Sequence, residues 1–340
     1  MSWNICRSLA SMAFLWAAMS AGAKDMAEYR GLCDASAAVA LGPDHFVVAD
    51  DERDVLTVYR RGRAQAVERV DLADTLGSRP PHGKLKEADI EGAAQVGPRI
   101  YWISSHGRDS GGDIEPTRWR LFATEVVITG DSPTVRPPAQ PAYTGLLRDL
   151  AAEPRLAVFG LAAASQRSPE DPAGLNIEGL AATASGGLLI GFRNPRPGGR
   201  ALVVPLLNPR EVVDGLARPQ FSDGVLLELG RRGIRSFERI GDRYVIVAGP
   251  FDDGGRRSID GSDFALYTWS GRAGDRPRRV ADAPLGKLRP EALFSVPETR
   301  RIQLLSDDGS ERVDGRACKH KAVPDKKKAF RSIEFELSGE

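Results

Sequence analysis

The chain has 340 residues and is nearly neutral, with 47 Lys and Arg against 46 Asp and Glu for a net charge of +1. The basic residues are dispersed and matched by acids, so nothing points to nucleic acid or to any strongly charged partner. In chain order the first feature is a leader. Arg7 precedes the apolar run Leu9 to Ala18, and Ala21-Gly22-Ala23 supplies an A-x-A cleavage site. That is the pattern of a secretory signal peptide, too short for a membrane span. Cleavage near Lys24 leaves residues 24–340 as a single domain. It is expected to be exported to the periplasm or secreted, with no membrane span in the mature chain, and to be a monomer. Of the 3 cysteines, Cys6 departs with the leader. Cys33 and Cys318 remain, and in an oxidising compartment they read as one disulfide. Such a bond joins the beginning of the fold to its end, which a closed ring brings together.

From residue 35 onward short apolar stretches dominate: Phe46–Ala49, Val55–Tyr59, Ile100–Ile103, Leu121–Ile128, Leu188–Phe192, Leu202–Leu206, Val225–Leu229, Tyr244–Ala248, Phe264–Trp269 and Ile302–Leu305. Gly, Pro and Asp turns separate them, the pattern of an all-β sandwich, barrel or propeller. Tyr143 to Gln166 differs, with Leu146, Leu147, Leu150, Leu156 and Phe159 at helical spacing. It predicts two short helices split at Pro154 and packed on the rim of the sheets, entered through the Pro-rich run 133–141. Near the C-terminus Lys319 to Lys328 reads as a solvated loop, and the alternating Arg331 to Leu337 as a strand of the last sheet.

One unit recurs. Asp34-Ala35-Ser36, Asp89-Ile90-Glu91-Gly92, Asn176-Ile177-Glu178-Gly179, Gly233-Ile234-Arg235 and Arg289-Pro290-Glu291 each open a β-hairpin whose second strand follows at similar distance. Apart from one longer gap, the repeats are roughly 55–58 residues apart, a little beyond the usual range for arrays of supersecondary units. The spacing suits a propeller of four-stranded blades. The expected fold is an all-β propeller with five blades, or six if the 143–166 region hides another.

Propeller geometry turns this alignment into a site. The inner strands start with Ser36, Glu91, Glu178, Arg235 and Glu291. The returning strands end near Asp51, His106, Arg193, Pro250 and Ser306–Asp308, so both rows converge at one mouth of the channel. Glu91, Glu178 and Asp51 are the candidate metal ligands, for Ca²⁺ or another divalent cation. Glu291, Arg235, His106 and Arg193 complete the ligand candidates. Plainer roles compete: Asp50-Asp51-Glu52, Asp252-Asp253-Gly254 and Asp307-Asp308-Gly309 sit where turns need Asp. The repeated Glu could bond backbone amides of a neighbouring blade. His106 has no second His or Cys near it, so it is not a zinc signature and reads first as a hydrogen-bonded surface residue.

The motifs Cys33-Asp34-Ala35-Ser36, Val48-Ala49-Asp50-Asp51-Glu52, Asp89-Ile90-Glu91-Gly92, Ser105-His106-Gly107-Arg108, Asn176-Ile177-Glu178-Gly179-Leu180 and Gly191-Phe192-Arg193-Asn194-Pro195 resemble a bacterial family catalogued as domain of unknown function 3616. The resemblance implies a propeller-like fold and names no activity. More loosely, Glu-Gly-Leu-Ala at an inner-strand start is similar to secreted phytase-like esterase propellers. Glu91 and Glu178 also match the metal-binding Glu of calcium-dependent lactonase propellers, whose Asn and Asp partners have no clear counterpart here. The functional expectation is therefore a binding or scaffold propeller with an acidic mouth for a cation or small polar ligand. The alternative is a metal-dependent hydrolase of phosphoesters or lactones.

Overall fold

A computed structural model describes residues 26–337 except 84, 110, 131 and 253–260. The leader expectation and Asp253-Gly254 lie outside the described residues. The first strand, β1 (Met26–Arg30), is followed by blade 1: β2 (Ala35–Ala40), β3 (His45–Asp50), β4 (Val55–Arg60) and β5 (Ala66–Asp71). A single helical turn, α1 (Ala73–Leu76), leads on to blade 2, which comprises β6 (Ile90–Val96), β7 (Arg99–Ser104), β8 (Leu121–Thr129) and β9 (Ser132–Arg136). Blade 3 comprises β10 (Asn176–Ala182), β11 (Leu188–Asn194), β12 (Ala201–Leu206) and β13 (Val225–Leu227). Blade 4 comprises β14 (Gly233–Ile240), β15 (Arg243–Gly249), β16 (Ala265–Trp269) and β17 (Arg278–Arg279). Blade 5 begins with β18 (Pro290–Ser295) and β19 (Arg301–Ser306); the short hairpin β20 (Arg312–Val313) and β21 (Arg316–Ala317) follows, then β22 (Ala329–Glu336). Strand β22 pairs with β19 on one side and with β1 on the other, so the first strand of the fold is the outermost strand of the last blade. The ring thus has five four-stranded blades, and the six-blade alternative does not apply.

The inner strands β2, β6, β10, β14 and β18 contact one another in sequence, and β18 returns to β2. Every blade is covered on both faces, with a separate apolar cluster filling each of the five seams. This is why strands such as His45–Asp50 and Leu188–Asn194 are buried throughout and read as continuous apolar runs. A sheet with one wet face would alternate.

Two devices close the seam between blades 5 and 1. Tyr29 of β1 meets Phe46 at 5.0 Å edge-on and stacks with Phe330 at 5.4 Å between ring centroids. Cys33 and Cys318 form a disulfide with their Cα atoms 6.0 Å apart, as the sequence predicts. The insertion is helical as expected: α2 (Leu146–Ala152), a 3₁₀ turn (Pro154–Phe159) that starts at Pro154, and α3 (Leu161–Ala164). Its Leu146, Leu150, Leu156 and Leu161 join the cluster that fills the seam between blades 2 and 3. No helix of the described residues is long and apolar enough to cross a membrane.

Candidate functional site: a polar channel mouth

All five inner strands carry a register slip against their hairpin partner at the same place. The residue left without a partner is Ser36, Glu91, Glu178, Arg235 or Glu291, according to blade. A bulge bends the strand and re-aims the extra side chain, so the five aligned residues converge at one end of the channel. The glycine after Glu91 and Glu178 has a packing cause. A Cβ at Gly92 would lie 2.8 Å from Ile103 Cγ2 and 3.1 Å from Leu180 Cβ; one at Gly179 would lie 2.6 Å from Ile234 Cγ2. Adjacent blades approach too closely there for any side chain.

The mouth divides into a neutralised half and an acidic half. In blades 3 to 5, Glu178 receives Arg193 Nη1 at 2.9 Å on Oε1 and Arg235 Nε at 2.9 Å on Oε2. Arg235 also pairs with Glu291 through Nη2, and Asn176 Nδ2 donates to Glu178 Oε1 at 2.9 Å. Among the described residues, these carboxylates are thus held by side-chain cations and not by backbone amides of a neighbouring blade. Glu178, Arg193, Arg235 and Glu291 are each at most 8% exposed, which makes their mutual neutralisation a structural necessity.

Blades 1 and 2 supply the acidic half. One oxygen each of Asp51, Asp89 and Glu91 lies within 4.8 Å of the others, and the same holds for Asp34, Asp50 and Asp51. Asp51 therefore belongs to both groups. Glu178, expected beside Asp51 and Glu91, is occupied by its two arginines; Asp89 completes the triad. Burial, then repulsion from Asp34 and Glu91, holds Asp51 well above the ordinary carboxylate range. Burial, then Glu178 and Asp89, does the same for Glu91 against the opposing pull of Arg235 and Arg193. Asp34 is pushed up to about 9 by burial and by Asp307. Asp50 rises to about 6 through burial, although Arg53 Nε lies 3.0 Å away.

The turn role assigned to these aspartates also holds: both Asp50 and Asp51 accept the Glu52 amide, at 3.2 and 3.0 Å. Asp307 likewise accepts the Gly309 amide at 2.8 Å. Turn and cluster are compatible because each carboxylate has a second oxygen.

His106 departs from its expectation as a surface residue. It is 1% exposed, with a left-handed backbone (φ 56°). Its Nδ1 lies 2.7 Å from Ser104 O, and Nε2 is buried without a hydrogen-bond partner. Burial pushes the imidazole down to about 4, so it is neutral at pH 7. The hydroxyl facing Asp89 belongs instead to the preceding residue, Ser105, and Arg118 Nη1 pairs with Asp89 Oδ2 at 2.9 Å.

The site residues missed by the alignment are Asp34, Asp89 and Asn176, each two positions before a bulge. That shared polar position was the available signal. Asn176 Oδ1 is a buried acceptor without a donor. Lys319, expected in a solvated run, pairs its Nζ with Glu52 Oε1 at 2.8 Å, beside the acidic half.

Residues 139–303 match the model of the family described as protein of unknown function DUF3616. That stretch contains the Asn176–Leu180 and Gly191–Pro195 motifs; the motifs at 33–52 and 89–108 precede it. No curated protein matches the chain. Among solved structures, an oxidoreductase described as a glucose dehydrogenase from Thermus thermophilus is similar at 15% identity, with TM-score 0.44 over 92% of this chain and 100% of its own. The PQQ-bound aldose sugar dehydrogenase of Streptomyces coelicolor is similar at 10% identity, with TM-score 0.42 over 92% and 99%. A protein described as a gluconolactonase is similar at 12% identity, with TM-score 0.38 over 87% and 73%.

Proposed function

We propose that this chain is an exported binding propeller that holds one divalent cation, Ca²⁺ foremost, at the acidic half of its channel mouth. Asp51, Asp89 and Glu91 are the protein ligands, and the bound cation presents open positions to a small polar ligand. The observation that carries this reading is the approach of the three oxygens to within 4.8 Å of one another. Ca²⁺–oxygen bonds of about 2.3–2.6 Å place ligands on opposite sides of the ion roughly 5 Å apart. An all-oxygen set selects hard cations, since neither thiolate nor imidazole takes part. The undonated Oδ1 of Asn176, beside Glu178, is a second acceptor at the same mouth. Asp51 and Glu91, neither of them ion-paired among the described residues, repel each other at a cost that a cation would relieve.

The experiment is a thermal melt after chelation, followed by titration with Ca²⁺, Mg²⁺ and Mn²⁺. Binding to the native state raises the melting temperature with the logarithm of cation concentration. Asp51→Asn and Glu91→Gln should each remove the rise. An unchanged melting temperature with all three ions overturns the reading.

Metal-dependent hydrolysis of a phosphoester or lactone is the second reading. It is favoured by the position of Asp50, one oxygen of which lies within 4.8 Å of an Asp51 oxygen, where it could take a proton from a water on the cation; burial raises its carboxyl to about 6. Cation-dependent turnover of p-nitrophenyl phosphate, bis-p-nitrophenyl phosphate or a simple lactone, lost in Asp50→Asn, would decide for it.

A further inference from the structure

The opposite mouth of the channel has a different chemistry. Four residues beyond the bulges, at about 3.3 Å per residue, the inner strands end roughly 13 Å away. There they enclose a cavity of about 440 Å³. Its walls carry apolar side chains from several blades, including Ala38, Ala40, Ala93, Ala182 and Leu293. Ile128, 70% exposed, lies on its rim. A cavity of this size, apolar with few polar groups, is the usual form of a small-molecule site.

One carboxylate lines it. Glu238 of β14 accepts the Ser295 backbone N–H at 2.6 Å on Oε2 and the Ser295 hydroxyl at 3.2 Å on Oε1. Among the described residues no cation is ion-paired with it. Arg239, the next residue, also lines the cavity but starts on the opposite face of the strand, because side chains alternate. Ser295 fixes the carboxylate in orientation while leaving lone pairs on both oxygens. An acid so held among alanines lacks a counterion, and burial pushes it up to about 8.

We propose that this second mouth binds a small cationic amphiphile, its ammonium head on Glu238 and its apolar body against the alanine-lined walls. The site is separate from the acidic mouth and does not depend on a cation there. A ligand bearing one ammonium and a short hydrocarbon tail matches the single carboxylate, the apolar wall and the volume together. Ammonium binding favours the ionised form of Glu238 and expels its proton, a gain that neither a carboxylate nor a neutral ligand offers.

The test is calorimetric titration of the full chain at about pH 9, where Glu238 is ionised and the ammonium keeps its proton, in chelator, with hexylammonium chloride, hexan-1-ol and sodium hexanoate. The expected order is hexylammonium strongest, hexanol roughly tenfold or more weaker, as for loss of a charge-assisted hydrogen bond, and hexanoate not bound. Glu238→Gln keeps an acceptor for Ser295 and should lower hexylammonium affinity to the level of hexanol. Ala93→Leu fills the cavity and should weaken both, with an unchanged melt as the folding control. Asp51→Asn should leave binding intact. The proposal is overturned if Glu238→Gln binds hexylammonium as the native chain does, if Asp51→Asn abolishes binding, or if none of the probes binds at millimolar concentration.

Discussion

Asp51 of blade 1 and Glu91 of blade 2 face each other across a blade seam with oxygens within 4.8 Å, and neither is ion-paired among the described residues. The ring therefore stores repulsion between its first two blades while its other three are neutralised through Arg193 and Arg235.

Removing one of these charges should stabilise the cation-free protein. Asp51→Asn relieves repulsion from Asp34 and Glu91 and should raise unfolding free energy in chelator by on the order of 1–2 kcal/mol. Urea melts with and without Ca²⁺ measure both effects. A cation-free Asp51→Asn protein less stable than the native chain would contradict the assignment of repulsion.

Stability of the cation-free protein should fall as pH rises. Asp50 and Asp34 move up from an ordinary 3.8 to about 6 and about 9. Between those limits the folded chain keeps protons that the unfolded chain has released, so unfolding free energy declines with increasing pH. The decline begins near pH 4, continues through 6 for Asp50 and extends toward 9 for Asp34. Saturating Ca²⁺ should flatten it, because a cation held by Asp51 favours the ionised forms of Asp34 and Asp50 beside it. Stability that rises over this range in chelator would refute the account.

Arg235 should be indispensable to blades 3 to 5. Arg235→Met leaves Glu178 and Glu291 short of a shared counterion in a buried setting, at a cost of about 3–5 kcal/mol. Adding Glu178→Met to Arg235→Met should recover part of the loss, and a double-mutant cycle by urea melts measures the recovery.

Reduction of Cys33–Cys318 should loosen the whole ring. The bond spans 285 residues, and the chain-entropy relation puts its contribution at about 5–6 kcal/mol before any native-state strain. Cys33→Ser with Cys318→Ser should lower the melting temperature accordingly. The aromatic seam around Tyr29 should keep the ring closed at moderate temperature. An unaltered melt would show that this seam suffices alone.

Gly179→Ala should be destabilising without touching a charge. Its Cβ would fall 2.6 Å from Ile234 Cγ2, forcing blades 3 and 4 apart at a cost of about 1–3 kcal/mol. Retained Ca²⁺ response at lower temperature is the expected signature.

Much of this architecture could be read from the chain before any coordinates. Five hairpin units at near-constant spacing, apart from the one gap that holds the 143–166 insertion, dictate a closed ring, because each blade buries its faces only against its neighbours. The apolar runs without alternation, the helical periodicity at 143–166 and the cysteines at the two ends follow from the same local rules. The row Ser36, Glu91, Glu178, Arg235 and Glu291 was likewise visible as a constant polar position inside apolar strands.

What the chain alone did not determine is which of these groups meet. A bulge is a disagreement between two strands in register and leaves no periodicity of its own. The division of charge depends on side-chain reach across seams: Arg235 spans from Glu178 to Glu291, so Glu178 leaves the acidic group and Asp89 enters it. The burial of His106 depends on neighbours from other segments: its backbone N–H donates to Arg118 O at 3.1 Å, and Ser105 O accepts the Ile177 N–H at 2.9 Å. The role of β1 as the closing strand depends on pairing with β22 from the far end of the chain. Each of these outcomes is set by contacts between residues distant in sequence, where local propensity has nothing to say.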